Sequence, residues 1–326
     1  MTLAGGAASA RARPAALPGP VRIEVTATPI ERFSVSEQRQ KVGLLTFRSG
    51  LELRADEAGF GGFSGLWRSP GGEQLVALSD RSNWLTARVE SSDGRLARLA
   101  DAVLAPVLGR DGRPLRRTRS YDTEALAIAD GAAFVGIERS HEVMRFAWGK
   151  DGVRARGQPL PVPAEARDFP RNRGFEAIGV APAKSPLAGA VIVIAERARD
   201  ETNAPTRGFI LGGPRPGAFD VARSGEYDIT DLAFLASGEM LLLERRFSLL
   251  RGPGARLRRI AANAIQPGAL VDGPVIFEAD AGHQIDNMEG LAVHRGGRGE
   301  TVVTMISDNN FSSMQRTLLL EFTLEG

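Results

Sequence analysis

Cysteine is absent from the chain. Its absence excludes disulfides, zinc–thiolate centres and cysteine nucleophiles. Lysine is nearly absent too, occurring only as Lys41, Lys150 and Lys184. The basic residues are therefore almost all arginines, planar forks suited to carboxylate or phosphate. Aromatics make up 6% and histidines number 3. No apolar run approaches the roughly 18 residues of a membrane-spanning helix. A formal charge of +2 gives no electrostatic reason to expect nucleic acid as a partner. Glycine, at 38 residues, and proline, at 19, are plentiful, so turns are many. With 43% hydrophobic residues the chain can bury a large core.

The first residues, "MTLAGGAASARARPAALPGP", are small and alanine-rich. "ASA" and "ARA" resemble the small-residue cleavage region of a secretory signal. The expectation is a flexible tail or the remnant of an export signal over residues 1–20. A single domain over 21–326 then follows, in a periplasmic or secreted protein.

Past the tail the chain repeats itself. Five units read "GGFSGLWRS" then "QLVALSDR", "DTEALAIAD" then "AAFVGIER", "RGFEAIGVAP" then "AVIVIAER", "DITDLAFLA" then "EMLLLERR", and "DNMEGLAVH" then "TVVTMISDN". Their key positions, Ser64, Glu124, Glu176, Asp231 and Glu289, are 60, 52, 55 and 58 residues apart. Each unit is a short strand, a turn and a second, Leu-rich or β-branched strand. Further strand-like runs cover Glu142–Trp148, Arg207–Gly213, Pro274–Asp280 and Arg316–Leu324. Regular short strands with turn signals predict an all-β fold. A period above about 50 residues with about four strands predicts a β-propeller blade. Small residues in "EALA", "EAIG" and "EGLA" suit strands crowded around an axis. Residues 21–55 either complete the last blade or form a degenerate sixth, so five or six blades are expected. Pairing of N- and C-terminal strands would close the ring and remove its edges.

Two acidic positions recur. One set is Glu124, Glu176, Asp231 and Glu289, with Ser64 in the first unit. The other is Asp80, Glu138, Glu196, Glu244 and Asp308, where Arg81, Arg139, Arg197 and Arg245 follow the first four and Asn309 the last. If most face one channel, nine acids meet four arginines. Carboxylates out of water and without partners cost several kcal/mol each, so water, raised pKa values or bound cations must offset them. Hard cations such as Ca²⁺ take six to eight oxygens. Asp122, Asn172, Asp286 and Asn287 add oxygens nearby. The sharp reading is a calcium-type site. The plain alternative is that a repeated acid or Asp-Arg pair ties blades together. Successive strand residues point to opposite faces, so Asp80 and Arg81 cannot both face the channel without a bulge. Arginines beside metal-bound carboxylates would suit a phosphate ester, since their forks bind phosphate bidentately and a metal polarises the phosphoryl group.

Other chemistries find little support. Ser64 in "GGFSGL" is not in a G-x-S-x-G elbow. "HEVMR" from His141 lacks the second histidine of H-E-x-x-H. His283 beside the acidic turn is a candidate base or a surface residue. The clusters "RRTRSYD" and "RLRRI" carry no interleaved aromatic platform.

"FGGFSGL", "LSDRSNWLT", "NRGFEAIG", "ITDLAFLASGEMLLLERRFS", "QIDNMEGLAVH" and "SDNNFSSMQRTLLLEF" together resemble the phytase-like family described as "esterase-like activity of phytase". The resemblance runs from about Pro29 to Phe322, departing at Phe63 and Asn309, where Leu and Asp are expected. It implies an exported bacterial propeller and phosphoester or ester hydrolysis, by analogy with calcium-dependent propeller phytases. It assigns no catalytic residue, so the site expectations rest on the repeat. The first functional expectation is a metal-dependent phosphoric-ester hydrolase. Ca²⁺ would sit on Glu124, Glu176, Glu289 and Asp308, extended by Asp231, Asp80, Glu138, Glu196, Glu244 and Asn287. Arg81, Arg139, Arg197 and Arg245 would hold substrate. The second is a lactonase-like or carboxylester hydrolase on the same metal site. The third is a non-catalytic periplasmic ligand-binding propeller. The partner expected is a small-molecule ester or phosphate ester, and the protein a monomer.

Overall fold

The computed structural model describes residues 17–36, 40–118, 121–170, 173–197, 204–248 and 251–325. Residues 1–16 of the expected tail, and Asn172, lie outside them. Five separate β-sheets stand around one axis. Their innermost strands are Phe63–Arg68, Thr123–Ala129, Phe175–Val180, Asp228–Phe234 and Asn287–Arg295. Each touches the next, and the fifth touches the first. The fold is a five-bladed β-propeller. Among the described residues no helix is long and apolar enough to cross a membrane.

The N-terminal segment settles the blade number. Leu45–Arg54 pairs antiparallel with Thr317–Leu324, and Thr26–Ile30 pairs with Leu45–Arg54 outside it. Residues 26–54 thus complete blade five rather than forming a sixth. Strands from near both ends of the described residues share that sheet, which closes the ring, whereas Val21–Arg22 pairs with Arg95–Pro106 at the edge of blade one.

Alternation along each strand explains why every blade is apolar on both faces. In blade one, Val76 and Leu78 enter the core shared with blade two, beside Trp84 and Val135. Leu75 and Ala77, one residue out of phase, enter the core shared with blade five, beside Leu51 and Leu319. Five such clusters occur, one between each neighbouring pair of blades. Strands buried on both sides read as continuous apolar runs, as "AVIVIA" and "EMLLLE" do.

The inner strands crowd one another closely. A Cβ at Gly65 would stand 2.7 Å from the Leu126 Cβ, and one at Gly290 only 2.9 Å from the Leu66 Cβ and 2.6 Å from Ile306 Cγ2. Gly290→Ala overpacks this contact and is expected to destabilise the protein by about 1–3 kcal/mol. Thermal unfolding of the variant measures it, and an unchanged melting temperature would mean that the inner strands can separate.

Candidate metal centre

Each innermost strand carries a β-bulge near its start. Pairing skips Ser64 in blade one, Glu124 in blade two and Glu176 in blade three. It skips Thr230 in blade four and Glu289 in blade five. A bulge inserts one unpaired residue and re-aims its side chain. The strand opposite supplies a second position just beyond the bulge. Asp80 N donates to Gly62 O, Glu138 N to Asp122 O and Glu196 N to Gly174 O. Arg245 pairs with Asp228 and Asp308 with Asn287 at the same step. The equivalent residues are therefore Asp80, Glu138, Glu196, Arg245 and Asp308.

These two rings form an acidic bowl at one end of the axis. Oxygens of Asp122, Glu124 and Glu138 lie within 4.8 Å of one another, and so do those of Glu138, Glu176 and Glu196. Glu138 belongs to both sets. Glu124 and Glu176 are 9% exposed, Glu138 7%, Glu289 6% and Asp308 4%. Burial is the first cause raising every one of these carboxyls. Glu138 and Asp308 are pushed up to about 7, Glu289 to about 8 and Asp80 to about 6. Glu124 and Glu176 are raised well above the usual range by burial and then by neighbouring carboxylates. Glu196 is raised by burial and by Asp228. Arg245 is the cation inside the bowl, with Nε 3.0 Å from Glu289 Oε1. Burial alone would lower its pKa, but Glu289, Glu176 and Glu196 hold the guanidinium above its usual range.

Arginines that follow the second acid stand outside the two rings, each on its own support. Arg81 lies over the Phe311 ring, 3.1 Å from its centroid. The loop beneath it turns through left-handed backbone at Asn310 (φ 48) and Phe311 (φ 50), and Asn309 Oδ1 accepts from Gly62 N at 3.0 Å and Phe311 N at 3.1 Å. Arg139 Nε donates to Asp122, and its guanidinium lies 4.5 Å from the Tyr121 ring centroid. Arg197 grips Asp228 with two N–H groups, one at 2.6 Å. In register, Arg246 is the blade-four member of this series, and its Nε donates to the Tyr227 hydroxyl at 3.1 Å.

A family model described as "Phytase-like: Esterase-like activity of phytase" matches residues 58–311. The chain belongs to that family. No curated protein matches it. Among solved structures, the major allergen Mala s 1 of Malassezia sympodialis shares 12% identity at a TM-score of 0.45, covering 94% of this chain and 96% of that one. The PQQ-bound aldose sugar dehydrogenase of Streptomyces coelicolor shares 10% at 0.43, covering 85% and 98%. Myxococcus xanthus glutaminyl cyclase shares 11% at 0.42, covering 82% and 92%. At these scores the likeness carries nothing about chemistry.

Of the expected ligands in this phytase-like chain, Glu124, Glu138, Glu176, Glu196, Glu289, Asp308 and Asp80 come together. Asp231 and Glu244 do not join them, because the repeat is displaced by one residue in blade four. Asp231 falls one position past the bulge and is fully buried. It accepts from Leu291 N at 2.7 Å and Leu232 N at 2.8 Å, joining blades four and five. Glu244 is fully buried inside blade four between Arg256, at 2.6 Å, and Arg258, at 2.7 Å. Arg245, expected to hold substrate, stands in the acid ring instead. Asn287 turns its amide nitrogen to Glu289 Oε1 at 2.7 Å. Asp286 accepts from Arg316 N at 3.0 Å and shapes the neighbouring loop. His283 is held by Asp280 at 3.1 Å and packs on Phe33. Sequence reasoning missed the supports Phe311 and Tyr121 and placed Asp122 only as an extra oxygen. Glu124, two residues after Asp122 in "YDTE", was the available signal.

Proposed function

We propose that the protein is a metal-dependent phosphoric-ester hydrolase whose cation is held in the acidic bowl. The observation that carries this reading is Glu138, shared by two carboxylate triads that span blades two and three. The donor chemistry fits a hard divalent cation of the Ca²⁺ type. Every donor in both triads is a carboxylate oxygen, with no imidazole or thiolate to favour softer ions. Asp122, Glu124, Glu138, Glu176 and Glu196 would hold it. When bound, such a cation supplies Lewis acidity toward a phosphoryl oxygen.

The chain's own residues supply the rest. Arg81, its guanidinium carbon 3.1 Å from the Phe311 ring centroid, would offer its N–H groups to an anionic oxygen. Arg139 and Arg197 have spent part of their donor sets on Asp122 and Asp228, so they orient substrate with what remains. The near-complete burial of Glu124, Glu138 and Glu176 limits bulk water around the reacting group, which strengthens electrostatic contacts there.

A panel assay in Ca²⁺ and in EDTA tests the reading. Ca²⁺-dependent turnover of phosphate monoesters supports it. Turnover of lactones or carboxylesters alone moves the chemistry to the carbonyl, and binding without turnover makes the protein a ligand-binding propeller. A periplasmic or secreted, monomeric protein belongs to the same proposal. The small-residue stretch before residue 20 supports the location, which N-terminal sequencing of the native protein checks, and the mass in solution checks the monomer.

A further inference from the structure

Blade four alone carries no carboxylate at either ring position of the bowl. Thr230 takes the bulge position, where blades two, three and five carry glutamates. Arg245 takes the second position, where the other four blades carry carboxylates. Two replacements in one blade change that quadrant from acidic to basic. Arg245 Nε reaches Glu289 Oε1 at 3.0 Å and its terminal nitrogen reaches Glu196 Oε1 at 4.0 Å. Glu124, across the bowl, stands in the opposite situation. It is nine-tenths buried, it faces the fields of Glu176, Glu289, Asp80 and Asp122, and no described residue donates a hydrogen bond to it.

We propose that Arg245 is the bowl's resident counter-ion. Its guanidinium fills the cation place beside Glu289 and confines divalent cations to the side of Glu124, Glu138 and Glu176. The inference rests on the metal reading above and adds where the cation can sit. The physical reason is direct. A guanidinium stays charged at every working pH and presents its donors in a rigid fork. Held against Glu289, it supplies opposite charge with no ion to dehydrate, and it repels a second cation from that quadrant. Blades two and three have no such built-in cation among the ring positions, so their carboxylates remain available to an exogenous one.

Calorimetric titration with Ca²⁺ alone tests this on four proteins: the native chain, Arg245→Gln, Arg245→Lys and Glu289→Gln, each first checked for cooperative unfolding. Arg245→Gln is expected to bind one cation more than the native chain. Arg245→Lys should keep the native number, because charge and not packing is what matters. Glu289→Gln should also keep it, because Glu289 already has its cation. Calcium binding by the native chain with an unchanged number in Arg245→Gln overturns the proposal and leaves the metal reading standing. Binding by Arg245→Gln but not by the native chain removes the metal reading and overturns the confinement of a cation to the side of Glu124, Glu138 and Glu176. No binding by either removes both. Should Arg245→Gln fail to fold, Glu289→Gln decides: an unchanged number upholds the proposal and a lost cation overturns it.

Discussion

On the metal reading millimolar Ca²⁺ raises the melting temperature of the native protein, and Glu138→Gln is expected to abolish that rise. Glu138 is the one carboxylate common to both triads, so its loss damages both at once. A ligand that binds only the folded state at about a hundred times its dissociation constant adds about 2.7 kcal/mol. In EDTA at pH 8 the outcome reverses in character. The variant should be at least as stable as the native protein, since one of several mutually repelling charges is gone. An acid that merely ties blades together would lose stability there, and that result would sink the metal reading.

The sign of the pH dependence follows from the same groups. Glu138 and Asp308 are raised to about 7 and Glu289 to about 8, whereas unfolded carboxyls titrate near roughly 4. Between those values the folded state holds protons that the unfolded state has released. Stability of the metal-free protein therefore falls as pH rises from about 5 to about 8, and each unit of difference is worth about 1.4 kcal/mol per group. On the metal reading calcium would replace those protons, so its stabilisation should grow over the same window. Urea unfolding at pH 5, 6.5 and 8, with EDTA and with Ca²⁺, reads both slopes. A metal-free protein that gains stability toward pH 8 would contradict the charge balance of the bowl.

Glu244→Ala should be the more damaging substitution for the fold and leave calcium binding intact. Glu244 is fully buried and joins Arg256 and Arg258, and among the described residues only Arg258 has a second acid, Asp272, at 2.7 Å. Removing one partner of a buried ion pair costs about 3–5 kcal/mol, because the other charges stay buried without it. Arg256 keeps a contact to Ser224 O at 3.1 Å, which places the expected loss near the lower end. Denaturant unfolding gives the loss, and the calcium titration supplies the contrast. A Glu244 variant that lost calcium while keeping its stability would put this residue back in the bowl.

The sequence by itself determined the all-β propeller, the number of repeating units and the two inner strands of each. Inner strands packed on both faces must be apolar throughout, and small residues must stand where Gly65 meets Leu126 and Gly290 meets Leu66. Those demands are local, so they show as pattern. Phe63 and Asn309, the two departures from the family resemblance, have roles the local pattern does not show, Phe63 in the core between blades one and five and Asn309 as an acceptor from Gly62 and Phe311. Whether residues 21–55 made a sixth blade was not legible, because a strand's partner lies anywhere along the chain. Pairing of Leu45–Arg54 with Thr317–Leu324 decided it. Blade four shows the sharper limit. "DITD" offers Asp228 and Asp231, and "LERR" offers Glu244 and Arg245. Aligning acids with acids selects Asp231 and Glu244. A slip of one residue carries every side chain of a strand to its other face, and charge does not set the register. Burial of Ile229 and Leu232 in the core between blades three and four does. That packing puts Thr230 in the bulge and Arg245 in the bowl, which only the tertiary structure could decide.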